Sequence, residues 1–170
     1  MTTYMKIDGI TGDVTAKGHE NWIALQSMNF NVKRTLSATP GRLADREGTR
    51  PSISEITITK RMDKTSPHLF IESCTGKSKN VQIDICQSNN NELTPYASFT
   101  LRNAIISGYD VNTDTKNIEN GKTSSEHHYP GETITLSFDQ IEMKYTPFDE
   151  QNNPQSPIPA GYDLKQATEM

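Results

Sequence analysis

The stretch Val81-Gln82-Ile83-Asp84-Ile85-Cys86 sets three aliphatic side chains against three polar or small ones in strict alternation. Successive side chains of a strand point to opposite faces, so this pattern predicts a half-buried β-strand. Downstream, Ser88-Asn89-Asn90-Asn91 has the chemistry of a turn. Beyond it Ala97, Phe99 and Leu101 alternate with Ser98, Thr100 and Arg102, and the apolar pattern runs on through Ile105 and Ile106. Upstream lies the one good helix signal. Ser66 suits an N-cap, Pro67 a first helical position and Gly76 a C′ residue, while Leu69, Phe70, Ser73 and Cys74 share one face.

Working outward, Ile53 to Arg61 resumes strand alternation, with Ile56 and Ile58 on one face and Thr57 and Thr59 on the other. Trp22 to Val32 reads as a long strand. Trp22, Ala24, Met28, Phe30 and Val32 share a parity, Ile23 and Leu25 take the other, and Gln26-Ser27 marks a bulge. Tyr4 to Ile7 is a short strand ended by Asp8-Gly9. Ile134, Leu136 and Phe138 alternate with Thr133, Thr135 and Ser137. The parity then shifts to Ile141, Met143 and Tyr145, a second bulge signature. Residues 33–51 and 112–131 are polar loops longer than a connection requires. Residues 147–159 carry four prolines and read as irregular, and Tyr162 and Leu164 close with a short strand. About eight strands and one helix make a barrel or a sandwich.

Composition agrees. The chain has 170 residues, with 15 Ile and 20 Thr against 8 Leu and 8 Ala. β-Branched side chains suit a pleated, half-buried surface and are stiff in helices. The length fits one domain, residues 1–170. The net charge of −4 argues against nucleic acid and anionic membranes as partners. The longest apolar run, Trp22-Ile23-Ala24-Leu25, is far short of a membrane span. The start, MTTYMKIDGI, has no apolar region of a signal peptide, so the expectation is cytoplasmic synthesis and, if the protein is exported, another route. Cys74 and Cys86 are expected to be two buried, unpaired thiols.

Motifs for catalysis and cofactors fail on spacing. Gly76-Lys77-Ser78 and Gly121-Lys122-Thr123 resemble the end of a phosphate loop, but Ile71 and Lys116 stand where its first glycine belongs. Asp110, Asn112 and Asp114 open like a calcium loop, but Thr115 and Gly121 occupy the turn and bidentate positions. His127 and His128 are adjacent and point apart on an extended segment. The expectation is a protein that is not an enzyme and holds no cofactor or metal.

Four stretches, in order, resemble the Hcp family, the tube protein of the type VI secretion system. They are Tyr4-Met5-Lys6-Ile7-Asp8-Gly9-Ile10 with Gly12; His19 with Ile23 and Leu25; Thr65-Ser66-Pro67-His68-Leu69-Phe70; and Ala160-Gly161-Tyr162-Asp163-Leu164-Lys165. The charged 36–50 loop and the 112–131 loop depart from the family. The resemblance implies a flattened β-barrel of two antiparallel sheets with one short flanking α-helix. It implies homo-hexameric rings that stack into a secreted tube, with sheath, baseplate and spike proteins as partners and effector cargo in the lumen. It also implies export without a signal peptide. The chain ends just after the family's terminal strand, which leaves no room for an appended toxin domain.

On that reading Thr57 and Thr59 face the lumen. The loop bearing Arg42, Asp45, Arg46, Glu47 and Arg50 makes contacts between subunits and stacked rings, as mixed charges give register more than affinity. The competing reading is a soluble β-sandwich that binds protein or carbohydrate.

Overall fold

The computed structural model describes residues 1–34, 50–89, 92–113 and 130–170. The chain runs β1 (Thr2–Ile7), β2 (Ile23–Leu25), β3 (Ser27–Asn29), β4 (Val32–Lys33), β5 (Ser52–Ile53) and β6 (Ile56–Arg61). It continues with α1 (Ser66–Thr75), β7 (Lys79–Asn89), β8 (Glu92–Asn112), β9 (Gly131–Ser137), β10 (Gln140–Tyr145), β11 (Ile158–Asp163) and β12 (Thr168–Glu169). One sheet has the order β12-β11-β10-β8-β7-β1-β2, and the other β3-β6-β9-β8, all antiparallel.

β8 belongs to both sheets. Residues 97–102 pair with β7 and β10, and residues 105–112 pair with β9. Asn103, at the crossing, has φ 51°. Asn tolerates this left-handed backbone better than most side chains, so it suits the corner. The opposite corner lies at Gln26. There β2 leaves β1, and the Gln26 N–H donates to the Thr59 carbonyl at 2.8 Å. The long strand expected over Trp22–Val32 is therefore three short ones. The bulge expected at Gln26-Ser27 is a change of sheet, which turns Ile23 and Leu25 inward on one side and Met28 inward on the other. The parity shift before Ile141 has the same cause, because β9 and β10 lie in different sheets. Met143 and Tyr145 run past the core and are exposed. The last strand also differs from expectation: β11 starts at Ile158, inside the stretch read as irregular.

Between the sheets lies an aliphatic core that includes Met5, Ile23, Ile56, Ile58, Ile83, Leu101, Ile134 and Leu136. α1 closes one end of it with Leu69. Its limits differ by one residue from the sequence reading. Thr65 is the N-cap and Ser66 the first helical residue, because the Ser66 hydroxyl accepts the Asp63 N–H at 3.0 Å instead of capping the helix. Gly76 ends the helix at φ 63° as expected.

That end of the barrel holds a buried charge network. Lys60 continues the inward parity of Ile56 and Ile58, and Glu132 that of Ile134 and Leu136. Lys60 Nζ donates to Glu132 Oε2 at 2.7 Å and to the Arg61 carbonyl at 2.7 Å, and it lies 3.0 Å from Asp63 Oδ1. The Tyr109 hydroxyl donates to Glu132 Oε1, and burial first and then this carboxylate hold its pKa above the ordinary value.

A buried pair is costly to break, because one partner leaves the other charge desolvated. Lys60→Ala should lower unfolding stability by about 3–5 kcal/mol. Replacing Lys60, Glu132 and Tyr109 together by Met, Leu and Phe should recover most of that loss. Urea unfolding of the single and triple variants measures both.

Candidate functional site

The outward side of β6 is a hydroxyl face. Thr57 lies between Asn29 and Thr135, and Thr59 between Ser27 and Thr133, in adjacent strands. Ser27 Oγ and Thr59 Oγ1 are 2.6 Å apart. The Thr59 row continues to the exposed Asp110 on β8, and the next outward residue of β6 is the exposed Arg61, so the hydroxyls are bounded by two charged side chains. These side chains sit opposite Ile56, Ile58, Ile134 and Leu136, so one alternation produces both the dry core and the wet face. A face of this kind offers water and solutes many short donors and acceptors with little fixed charge.

Of the five charges expected at subunit and stacking contacts, Arg42, Asp45, Arg46 and Glu47 lie outside the described residues, as do Asp114, Gly121 and the His127-His128 pair. Arg50 is exposed beside the β4–β5 ribbon, in which Val32 pairs with Ile53. Next to that ribbon is an apolar groove of about 290 Å³, whose lining includes Phe30, Val32, Ile53, Met143 and Tyr162.

The outer face of the other sheet is dry where residues 12–22 strap across it. Gly12 N–H donates to the Asn21 carbonyl at 2.8 Å and Val14 N–H to the Trp22 carbonyl at 3.1 Å. A Cβ on Gly12 would stand 2.0 Å from the Trp22 carbonyl oxygen, so only glycine fits there. Under the strap the buried His19 donates from Nε2 to Asp84 Oδ2 at 2.9 Å and lies 3.7 Å from Cys86 Sγ. Tyr4 and Trp22 flank its ring, and Nδ1 has no hydrogen-bond partner. Burial, and then the Asp84 charge, push the Cys86 thiol up to about 11, so near neutral pH it is a thiol and a poor nucleophile. Among the described residues no three His, Cys, Asp or Glu side chains are placed to hold a metal ion. No helix among them is long and apolar enough to cross a membrane.

The pattern of the family described as "Type VI secretion system effector, Hcp" matches residues 4–145. The chain belongs to the Hcp family. A search by sequence among curated proteins finds no match. Among solved structures, one described as a type six secretion system protein superposes with a TM-score of 0.86 at 20% identity, covering 99% of each chain. Hcp1 from Salmonella typhimurium gives 0.72 at 22% identity, over 99% of this chain and 98% of that one. A type VI secretion system effector from Yersinia pestis gives 0.68 at 23%, over 95% and 98%. Hcp is the tube protein of type VI secretion and is itself secreted; the family is one of structural proteins, not enzymes.

For an Hcp chain the most structured part that sequence reading missed is the His19–Asp84–Cys86 cluster. Asp84 and Cys86 have the parity of a solvent face, and only the nearby Tyr4, His19 and Trp22 hinted at a cover. The expectation of two buried thiols is corrected. Cys86 is buried, but Cys74 is exposed, because α1 turns Leu69 inward and leaves Phe70, Ile71 and Cys74 outside. Both cysteines are free, as expected.

A thiol reagent on the folded protein should therefore label one cysteine per chain, Cys74, and two in denaturant. The raised Cys86 pKa also has a sign. Its stabilising effect is intact below the ordinary thiol value of 9.0 and is lost as pH rises towards about 11. The urea midpoint should fall over that window, and fall less in Cys86→Ala.

Proposed function

We propose that six copies of this chain close into a ring, that rings stack into a tube, and that effector cargo travels in the lumen. Family membership over residues 4–145 supports this reading. The chain acts as one unit, residues 1–170, made in the cytoplasm and exported by the secretion apparatus. Sheath, baseplate and spike proteins are its partners outside the ring.

The hydroxyl face carrying Thr57 and Thr59 lines the lumen. A hydrated wall of short hydroxyls, charged only at Asp110 and Arg61 among its described residues, presents few strong sites that would hold a passing protein. The loop with Arg42, Asp45, Arg46, Glu47 and Arg50 joins ring to ring. Exposed ion pairs are worth about 0.2–1 kcal/mol each, and repetition around a ring multiplies a weak term.

Size-exclusion chromatography with light scattering should give about six times the 19.0 kDa chain mass, and electron micrographs should show annuli. A monomer at high concentration would sink the ring. Thr57→Lys should leave the ring mass unchanged and alter cargo retention. Reversing Arg42, Arg46 and Arg50 to Glu should keep rings and shorten tubes at low salt, where surface charge acts most strongly.

A further inference from the structure

Residues 12–22 cover the first sheet by folding on themselves. Gly12 N–H donates to the Asn21 carbonyl, Val14 to Trp22, Asn21 back to Val14, and His19 to Ala16. Among the described residues no backbone hydrogen bond runs from residues 12–21 to the strands beneath. The strap alternates, with Gly12, Val14 and Ala16 turned inward and Asp13, Thr15 and Lys17 exposed. Val14 and Ala16 pack with Trp22 on Tyr4, Cys86 and Leu93, a cluster separate from the barrel core. Tyr4 and Cys86 have the opposite parity to Met5 and Ile83, so the two clusters lie on opposite faces of one sheet. The polar tie between strap and sheet is His19 Nε2 to Asp84 Oδ2. It is built to release. Asp84 Oδ1 also accepts from Gln82 Nε2 at 3.1 Å, within β7, so release leaves the carboxylate one donor and adds water. His19 Nδ1 is enclosed without a partner, and the same release hydrates it. The Lys60–Glu132 pair has no such exit, because both side chains are fully enclosed inside the barrel.

We infer that the strap is a cover that opens as a unit while the barrel stays folded, with the His19–Asp84 contact as its latch. Opening wets the small outer cluster and leaves the large inner one dry, so it costs less free energy than unfolding. It also brings Cys86 into water. Under the closed strap, burial pushes that thiol up to about 11. Under the open one the thiol returns to water, where a larger share of it is the reactive thiolate. Cys86 is therefore a gated thiol, whose reactivity reports the cover and not the barrel.

The test replaces the exposed Cys74 by serine and labels Cys86 with an aromatic disulfide, reading the thiolate it expels. The full chain is held folded, in urea well below its unfolding midpoint. Labelling should run faster than the global unfolding equilibrium allows. Its dependence on urea should be under about half of the global one, since that slope follows the surface exposed. His19→Ala should speed labelling roughly tenfold or more, the effect of losing a hydrogen bond to a charged group. Should that variant not fold, His19→Phe keeps the ring between Tyr4 and Trp22, loses the donor, and should speed labelling likewise. Ile134→Val thins the inner core instead, so it should lower the urea midpoint and leave the labelling rate unchanged. A parent whose labelling has the rate and slope of global unfolding would overturn the cover. So would an Ile134→Val rate that rises in step with its lost stability. A folded His19 variant that labels at the parent's rate would overturn the latch.

Discussion

β8 is the constraint on which the molecule depends. Its 21 residues serve two sheets, so its backbone hydrogen bonds must change partners partway along. The change happens at Asn103, where the chain takes a left-handed step. With that corner on one side and the Gln26 break on the other, the two sheets enclose a single core. Every inward position follows from where those corners fall. A one-residue slip would turn the hydroxyl face inward and the isoleucines out.

Alternation made most of this legible. Ile56 and Ile58 against Thr57 and Thr59, and Ile134 and Leu136 against Thr133 and Thr135, fix both faces of the second sheet. The Gln26 corner and the passage from β9 to β10 were visible only as parity faults, at Gln26 and before Ile141, while the corner at Asn103 lay inside a strand read as continuous. A bulge and a change of sheet break the alternation in the same way, so the pattern could not separate them. The helix was found by its Pro67 and Gly76. Its start slipped by one residue because the Ser66 hydroxyl serves Asp63, and no local rule foresees such a competition. The outward turn of Cys74 was hidden because a short helix with Leu69, Phe70 and Ile71 in succession can bury only one of them.

The strap was harder to read. Asp84 and Cys86 occupy solvent parity and yet are buried, because residues from far upstream lie over them. Such a layer needs a glycine where the strap crosses Trp22 and a histidine that can satisfy a buried carboxylate. Gly12 and His19 are also two of the residues that carry the family resemblance. Their place in the structure gives that resemblance a physical reason: it marks the points where the cover is attached. The apolar groove and the bare helix are different again. Neither breaks a rule of folding, and each shows only when exposure is known residue by residue.

The Lys60–Glu132 pair bears on how such a chain can drift over generations. Its halves lie 72 residues apart and are fully enclosed, with Tyr109 completing the set. Loss of either half strands the other, so neither position can change alone without penalty. Descendants should keep the whole trio or exchange it as a whole for apolar side chains. Inheritance would then treat three distant positions as a single character, and the closed end of the barrel as the slowest part of the molecule to be rewritten.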